Sequence, residues 1–406
     1  MPVNGDTARN ADDFWLRVGA ELADDLAVDA VERDRAGKPP YDEMARIRES
    51  GLLAALAPPD AAGPGMEWPT ACAVVRRIAA ADGSMGELLG RHYVLSWSAR
   101  LFADPERAAE LEADARKGQW LWAGDTGALR PHAFARDTGA GRSLVRSTRH
   151  GGGTLRGSRA VASAVTLADR FVLNATADDT GEPLVVLVAP GDAGIARRPV
   201  HDRLGQRLTD AGTLHLDEVA TGSGDILGPA PVDEHTAPPF TMLAPLALRL
   251  MLTQVALGIA EGALTEAGDL SRAAARRVRA TEDPGGPLAT TDGDVLFAFG
   301  SLALALHSAS AVVDRATAAL TGSLRAGRGL DDEGRTRTAV LVAAAEAVTV
   351  PAALRTGEDI LGLAEAEGLD RFWRDLRTLV VRAPAGPGLR ALGEHYLSGD
   401  LGRAAR

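Results

Sequence analysis

Residues Gly118–Gly124 read GQWLWAG, and the hydrophobic period of the chain changes there. Upstream, apolar residues recur at intervals of three and four, the spacing of one helix face. Downstream come GRSLVRSTRH, TLRGSRAVASAV, DRFVLNATA, PLVVLVAP and TLHLDEVA, short stretches that alternate or carry β-branched residues between Gly, Asp and Pro. That pattern predicts strands, and several in succession predict an antiparallel barrel or sandwich.

Upstream of Gly118, residues 10–37 predict one helix that starts on acidic residues and stops at Gly37. YDEMARIRESGLLAALAPP predicts a second helix, and the run from Trp68 to Phe102 predicts two, broken near Asp82–Gly83. Pro105 opens a further short one at its first turn. From Phe240 onward the helical period returns in three long runs, 243–277, 292–324 and 331–361. Their broad apolar faces predict an antiparallel bundle with a face left for subunit contact. The fold class is therefore α+β: an N-terminal α-helical domain (1–117), a middle β-barrel (118–235) and a C-terminal four-helix bundle (236–406).

At 406 residues with 46% apolar composition, the chain is long enough for two or three modules. A net charge of -11 argues against nucleic acid or an anionic membrane as partner. Only Lys38 and Lys117 are lysines, so arginine carries nearly all positive charge. The single cysteine, Cys72, cannot form an internal disulfide and reads as a small buried apolar residue, which fits a reducing cytoplasm. With no leader and no apolar run of spanning length recognised, a soluble cytoplasmic protein is expected.

No histidine pair has zinc-helix spacing, and no metal is expected. His307 reads as a core or interface residue; His132, His150, His201, His215 and His235 read as surface. Nucleophile elbow, Walker loop and dinucleotide fingerprint are all missing. Two stretches stand out. GRHYVLSW places His92, Tyr93, Ser96 and Trp97 on one helix, and RAVASAVTLADRF sets Ser163 at a strand end. A capping role for Ser163 and a satisfied interface role for His92 compete evenly with function. RFWRDLRTLVVRAPAG (371–386) adds four arginines and a tryptophan, suited to something anionic and flat, but offers no base or nucleophile in its breaking segment.

The section order, with RLGQRLTDAGTLHLDEV, QVALGIAEGAL, ATEDP and LDRFWRDLRT, resembles the acyl-CoA dehydrogenase fold. It is most similar to that fold's flavin-dependent monooxygenase branch, which includes dibenzothiophene monooxygenases and amino-sugar nitrososynthases. The resemblance covers essentially the whole chain. It implies reduced FMN, or less readily FAD, supplied by a separate flavin reductase, a small-molecule substrate, and a homotetramer or homodimer. By position it implies that Trp122, Gly124, Ser163, Arg276, Trp373 and Arg377 bind the flavin. His92 and Ser163 become the catalytic candidates, and Tyr93, Ser96 and Arg382 the substrate contacts.

Departures from the family pattern narrow the activity. The slot of the dehydrogenases' catalytic glutamate is Ala383, and the slots of the sulfur monooxygenases' two histidines are Leu379 and Arg382. Val161 replaces an aromatic residue that many dehydrogenases pack on the flavin. The leading expectation is a two-component monooxygenase that oxygenates a heteroatom or electron-rich ring. The alternatives are a flavin-poor descendant with a non-redox or binding role, and an acyl-CoA dehydrogenase.

Overall fold

The computed structural model describes residues 5–57, 65–125, 144–147, 153–231, 237–281, 292–363, 368–381 and 386–398. The helix expected over 10–37 is two, α1 (Gly5–Ala27) and α2 (Ala30–Ala36), split by a turn in which Val28 N–H reaches Asp25 O. Gly37 closes α2 with φ +55°, a left-handed conformation that glycine adopts without a Cβ clash. α3 (Tyr41–Glu49) follows, then α4 (Trp68–Ala81) and α5 (Gly83–Ser96). Asp82 separates the last two, capping α5 through Met85 N–H at 3.1 Å. α6 (Ser98–Phe102) and α7 (Pro105–Gly118) complete this section, α7 capped by Asp104.

Among the described residues, the middle section forms an eight-stranded sheet. Its strands are β1 (Trp122–Gly124), β2 (Leu144–Ser147), β3 (Gly153–Val161), β4 (Arg170–Ala177), β5 (Pro183–Val188), β6 (Ile195–Pro199), β7 (Gly212–Thr221) and β8 (Ile226–Pro229). Most neighbours are antiparallel, as alternating strands favour, but β1 and β2 both pair parallel to β4. That departs from the wholly antiparallel expectation. Both parallel pairs join strands far apart in the chain, which hydrophobic alternation alone does not reveal.

The last section packs α8 (Leu243–Thr281), α9 (Gly293–Ala326), α10 (Asp332–Leu363) and α11 (Asp370–Val381), with α12 (Gly386–Ser398) against α10. By length and composition α8, α9 and α10 could each cross a membrane, which corrects the expectation that no run reaches that size. The most apolar stretch of α8 is 78% buried within the chain, so it is a core helix, whereas only 17% of that of α9 is covered. Leu296, Phe297 and Leu304 of α9 stand exposed.

The three sections meet at one polar junction. Asp375 of α11 accepts a hydrogen bond from the Gln206 backbone N–H in the loop before β7. Arg33 of α2 donates to Asp82 at 2.9 Å, and Arg374 pairs with Asp34 of α2 and donates to Leu204 O at 3.1 Å. Gly205 allows this approach: a Cβ there would lie 2.1 Å from Arg374 O. Burial pushes the Asp375 carboxyl up to about 8; the Gln206 bond opposes this, Asp82 and Asp34 add to it, and Arg374 opposes it. The folded chain therefore holds this proton at pH values where the unfolded chain has released it. Stability should fall as pH rises from about 4 to about 8, by up to about 1.4 kcal/mol per pH unit. Asp375→Asn should flatten that slope in urea unfolding at pH 5 and pH 8; an unchanged slope would contradict this assignment.

Candidate active site

Several of the sequence-predicted residues come together where α5, the end of β1 and the segment after β3 meet. β3 leaves the sheet at Val161, and the chain then turns with Ala164 at φ +57°. Ala164 N–H and Val165 N–H donate to Thr209 O and Asp210 O at 2.7 and 2.8 Å. Asp210 also accepts from Thr166 N–H and Oγ1. These bonds fix Ser163 beside the 203–211 loop. Ser163 is 2% exposed, and its Oγ has no hydrogen-bond partner among the described residues.

β1 reaches the same place from the other side. Gly124 lies opposite Val172 of β4, and a Cβ on it would sit 2.8 Å from Val172 O and 2.9 Å from Leu95 Cδ2. Only glycine lets α5 and β4 close on this strand. The next residue, Asp125, bridges Val161, and its carboxylate lies 3.2 Å from Arg159, which also donates to Asn174 O. The end of β1 and the Ser163 segment are thus tied together. Trp122 is buried, and its indole Nε1 has no partner among the described residues.

His92 does a different job from the one expected. Fully buried, it donates from Nε2 to Leu53 O at 2.8 Å and accepts at Nδ1 from Trp122 N–H at 3.1 Å. The two backbone bonds fix the tautomer and leave neither nitrogen free for a ligand. Burial holds its pKa down, to about 4, so the ring is neutral across physiological pH. It braces β1 against α5 and is not a proton relay in this arrangement. Tyr93 is corrected likewise: it is buried, its hydroxyl donates to Leu52 O at 3.1 Å, and burial raises its pKa. Ser96 Oγ donates back to Tyr93 O within its own helix. Cys72 is the inert buried thiol expected, pushed up to about 12 by burial.

The arginines of RFWRDLRT are structural. Arg371 forks onto Glu266 of α8, Arg374 takes Asp34 and Asp370, and Arg377 meets Glu358 of α10 at 2.7 Å. Trp373 is half-buried against Gly357 of α10, and with Arg377 it turns toward α10 within the chain. Leu379 is core. Arg276 stands exposed on α8, with no ion pair among the described residues. Arg382 and Ala383 lie outside the described residues, as do His132, His150 and His235. Of the remaining histidines, His215 meets Ser158 at 2.8 Å, and His201 and His307 are exposed.

One face of α5 escaped the sequence reading. Ser84, Glu87, Arg91 and Leu95 follow one another at helical spacing. Ser84 Oγ accepts from Leu208 N–H at 3.3 Å, and Glu87 takes Arg91 Nε at 2.7 Å. With its amide correctly oriented, Gln206 donates to Glu87 at 2.9 Å. Glu87 is 0% exposed and Arg91 7%. The signal was present as opposite charges four apart, but that spacing ordinarily marks an exposed pair.

Helices around a mostly antiparallel sheet, with a cleft where they meet, define an acyl-CoA dehydrogenase-like fold. Residues 13–111 match the model of the acyl-CoA dehydrogenase N-terminal domain. Over the whole length, the chain is 30% identical to a dibenzothiophene monooxygenase of Rhodococcus erythropolis, covering 96% of this chain and 94% of that one. It is also 30% identical to a probable FMNH2-dependent monooxygenase of Pseudomonas putida, covering 94% of each. The FMN-bound dibenzothiophene monooxygenase structure from Paenibacillus sp. A11-2 superposes with TM-score 0.86 at 29% identity, over 95% of this chain and 98% of that one. The chain belongs to the flavin-dependent monooxygenase family of this fold.

Bracing by His92 has a measurable consequence. His92→Ala strands the Trp122 N–H and the Leu53 carbonyl in a buried site, and should cost about 2–4 kcal/mol of unfolding free energy at pH 7. Wild-type stability in urea denaturation of that variant would contradict the bracing role.

Proposed function

We propose that the protein is the oxygenase component of a two-component system, taking reduced FMN from a separate reductase and using O2 to oxygenate a heteroatom or electron-rich ring of a small molecule. The observation that carries this reading is the junction of α5, β1 and the segment after β3. Trp122 Nε1 is a buried donor without a partner among the described residues, Ser163 is buried beside the 203–211 loop, and Gly124 keeps the strand between free of a side chain. These features fit a flat, hydrogen-bonding ring such as a flavin, and the FMN-bound relative supports the choice of FMN. When bound, reduced FMN would supply the two electrons that activate O2, one atom of which goes to the substrate and the other to water.

This chain's own residues bind, orient and exclude water. Ser163 offers its hydroxyl to the ring, the Trp122–Gly124 strand lines one side, and the packed α5 face keeps the cleft dry. Arg276 is assigned to the FMN phosphate, for which a guanidinium fork is suited, and Arg382 to the substrate. A dehydrogenase is disfavoured because Ala383, at the slot of the expected base, cannot accept a proton. The activity is placed in the cytoplasm, the setting that suits a chain whose one cysteine is a buried free thiol.

A homo-oligomer built through α9 completes the reading. Leu296, Phe297 and Leu304 stand exposed on α9, a groove of about 1140 Å³ runs between α1, α4, α8 and α9, and a second copy would cover both. Phe297→Glu should shift the protein toward monomer in light scattering at micromolar concentration. A monomeric wild type would remove this part of the proposal.

The cofactor assignment is tested by anaerobic titration with reduced FMN. Saturable binding is expected, and Arg276→Ala should weaken it by about 1.5–3 kcal/mol, roughly ten- to a hundredfold. Affinity for reduced riboflavin, which lacks the phosphate, should stay unchanged. If wild-type protein binds no reduced FMN, the oxygenase reading fails.

A further inference from the structure

Three carboxyl groups shielded from water converge where α2, α5 and α11 meet. Asp34, Asp82 and Asp375 are all buried, and with Ser84 and Arg371 they line a cavity of about 10 Å³. That space admits one water and no hydrated ion. The arginines around it are committed to other acids: Arg33 to Asp29 and Asp82, Arg374 to Asp34 and Asp370, Arg371 to Glu266 of α8. Further out, Glu43 of α3 lies 3.6 Å from Arg33, Glu358 of α10 takes Arg377, and Glu87 of α5 takes Arg91 and the Gln206 amide. Asp375 has no ion pair among the described residues, and its hydrogen bond there comes from the Gln206 backbone N–H. A buried carboxylate that faces two others without a cation of its own is unfavourable, so this arrangement selects the neutral acid. Burial pushes the carboxyl up to about 8, and Asp82 and Asp34 add to the rise against the Gln206 bond and Arg374.

The bond from Gln206 leads to the Ser163 turn by a short route. Gln206 O accepts from Thr209 N–H at 3.3 Å and from Arg203 Nη1 at 3.0 Å. Thr209 O and Asp210 O in turn accept from Ala164 N–H and Val165 N–H, next to Ser163. Three residues on this route, Gln206, Asp210 and Ala164, hold φ of +54°, +53° and +57°. None is glycine, so each keeps its left-handed backbone only while the bonds around it hold. The loop is strained, and Asp375 anchors its far end.

We infer that Asp375 is a remote positioning residue for the cofactor: as a neutral acid it locks the Ser163 turn, and its ionisation loosens that turn and weakens cofactor binding. This rests on the oxygenase reading only in naming what the turn holds. Asp375 acts through the 203–211 loop and touches no reacting atom. Ionised, it sets a third negative charge against Asp34 and Asp82, and the relief is separation of α11 from the loop. A loosened, solvated Asp375 returns toward the ordinary carboxyl range near about 4. Opening of the turn should therefore grow easier as pH rises from about 4 to about 8, by up to about tenfold per pH unit, and level off above.

Amide hydrogen exchange of the cofactor-free protein at pH 5, 6, 7 and 8, corrected for intrinsic rates, reads that opening at Ala164 and Val165. Wild type should show the rise. Asp375→Asn, a permanently neutral match that keeps the acceptor for Gln206 N–H, should be flat. Asp34→Asn removes a facing carboxylate and frees Arg374, so its rise should level off at lower pH. A flat wild type, or a wild type and Asn variant that run parallel, overturns the inference. So do turn amides that exchange only with the slowest amides of α8, since these report global unfolding. Reduced FMN is titrated anaerobically at the same pH values. The ratio of wild-type to Asn-variant affinity, which cancels the cofactor's own titration, should fall about threefold or more from pH 6 to pH 8. A constant ratio overturns the link to the cofactor. FMN bound by a turn that is flat in pH sinks this inference alone. A turn that loosens with pH in a protein that binds no reduced FMN sinks the oxygenase reading alone.

Discussion

Asp375 reaches from α11 to the Gln206 backbone and lies against Gly83 at the start of α5, where an added Cβ would be 2.7 Å from Oδ2. Around it, Arg33 with Asp82 and Arg374 with Asp34 bring α2 into the same knot. Removing one partner of such a buried pair strands the other and costs about 3–5 kcal/mol, so the members hold one another in place. The position of the 203–211 loop follows from this knot. That loop in turn holds the Ser163 segment and the Glu87 side of α5. The cleft is therefore set by contacts made on the far side of the loop.

A second constraint acts from below. His92 links α5 to Trp122 and to Leu53, so the helix, β1 and the turn after α3 are braced as one unit by a neutral ring. A neutral brace is chemically quiet, which leaves oxygen chemistry to the cofactor, with Ser163 proposed to orient it. An oxygenase needs little more from its protein than a dry, shaped pocket and a few fixed donors. The chain supplies these on α5, β1 and the post-β3 turn, and nothing in the described site depends on a strong base.

The section order was legible because the hydrophobic period changes twice, near Gly118 and Phe240, and period reports backbone geometry directly. The family was legible from motifs of loop and helix, such as GQRLTDAG and RFWRDLRT. The roles inside those motifs were not. Arg371, Arg374 and Arg377 look like ligand contacts in a linear reading because their acids lie at Glu266, Asp34 and Glu358. His92 looks catalytic for the same reason: its partners, Leu53 O and Trp122 N–H, are backbone groups that leave no side-chain signature. Glu87 and Arg91 were missed in the opposite sense, since only burial separates this charge pair from a solvated one. The parallel pairing of β1 with β4 is likewise a property of topology, set by strands almost fifty residues apart and invisible to local alternation.

These constraints converge on one claim, that the cleft between α5, β1 and the Ser163 turn is the flavin site. A crystal structure of the protein with FMN bound tests it most directly. The account predicts the isoalloxazine in that cleft, against the Trp122–Gly124 strand and within hydrogen-bond distance of Ser163 Oγ. FMN found in the groove between α4 and α9, or elsewhere on the bundle with the cleft empty, would contradict it.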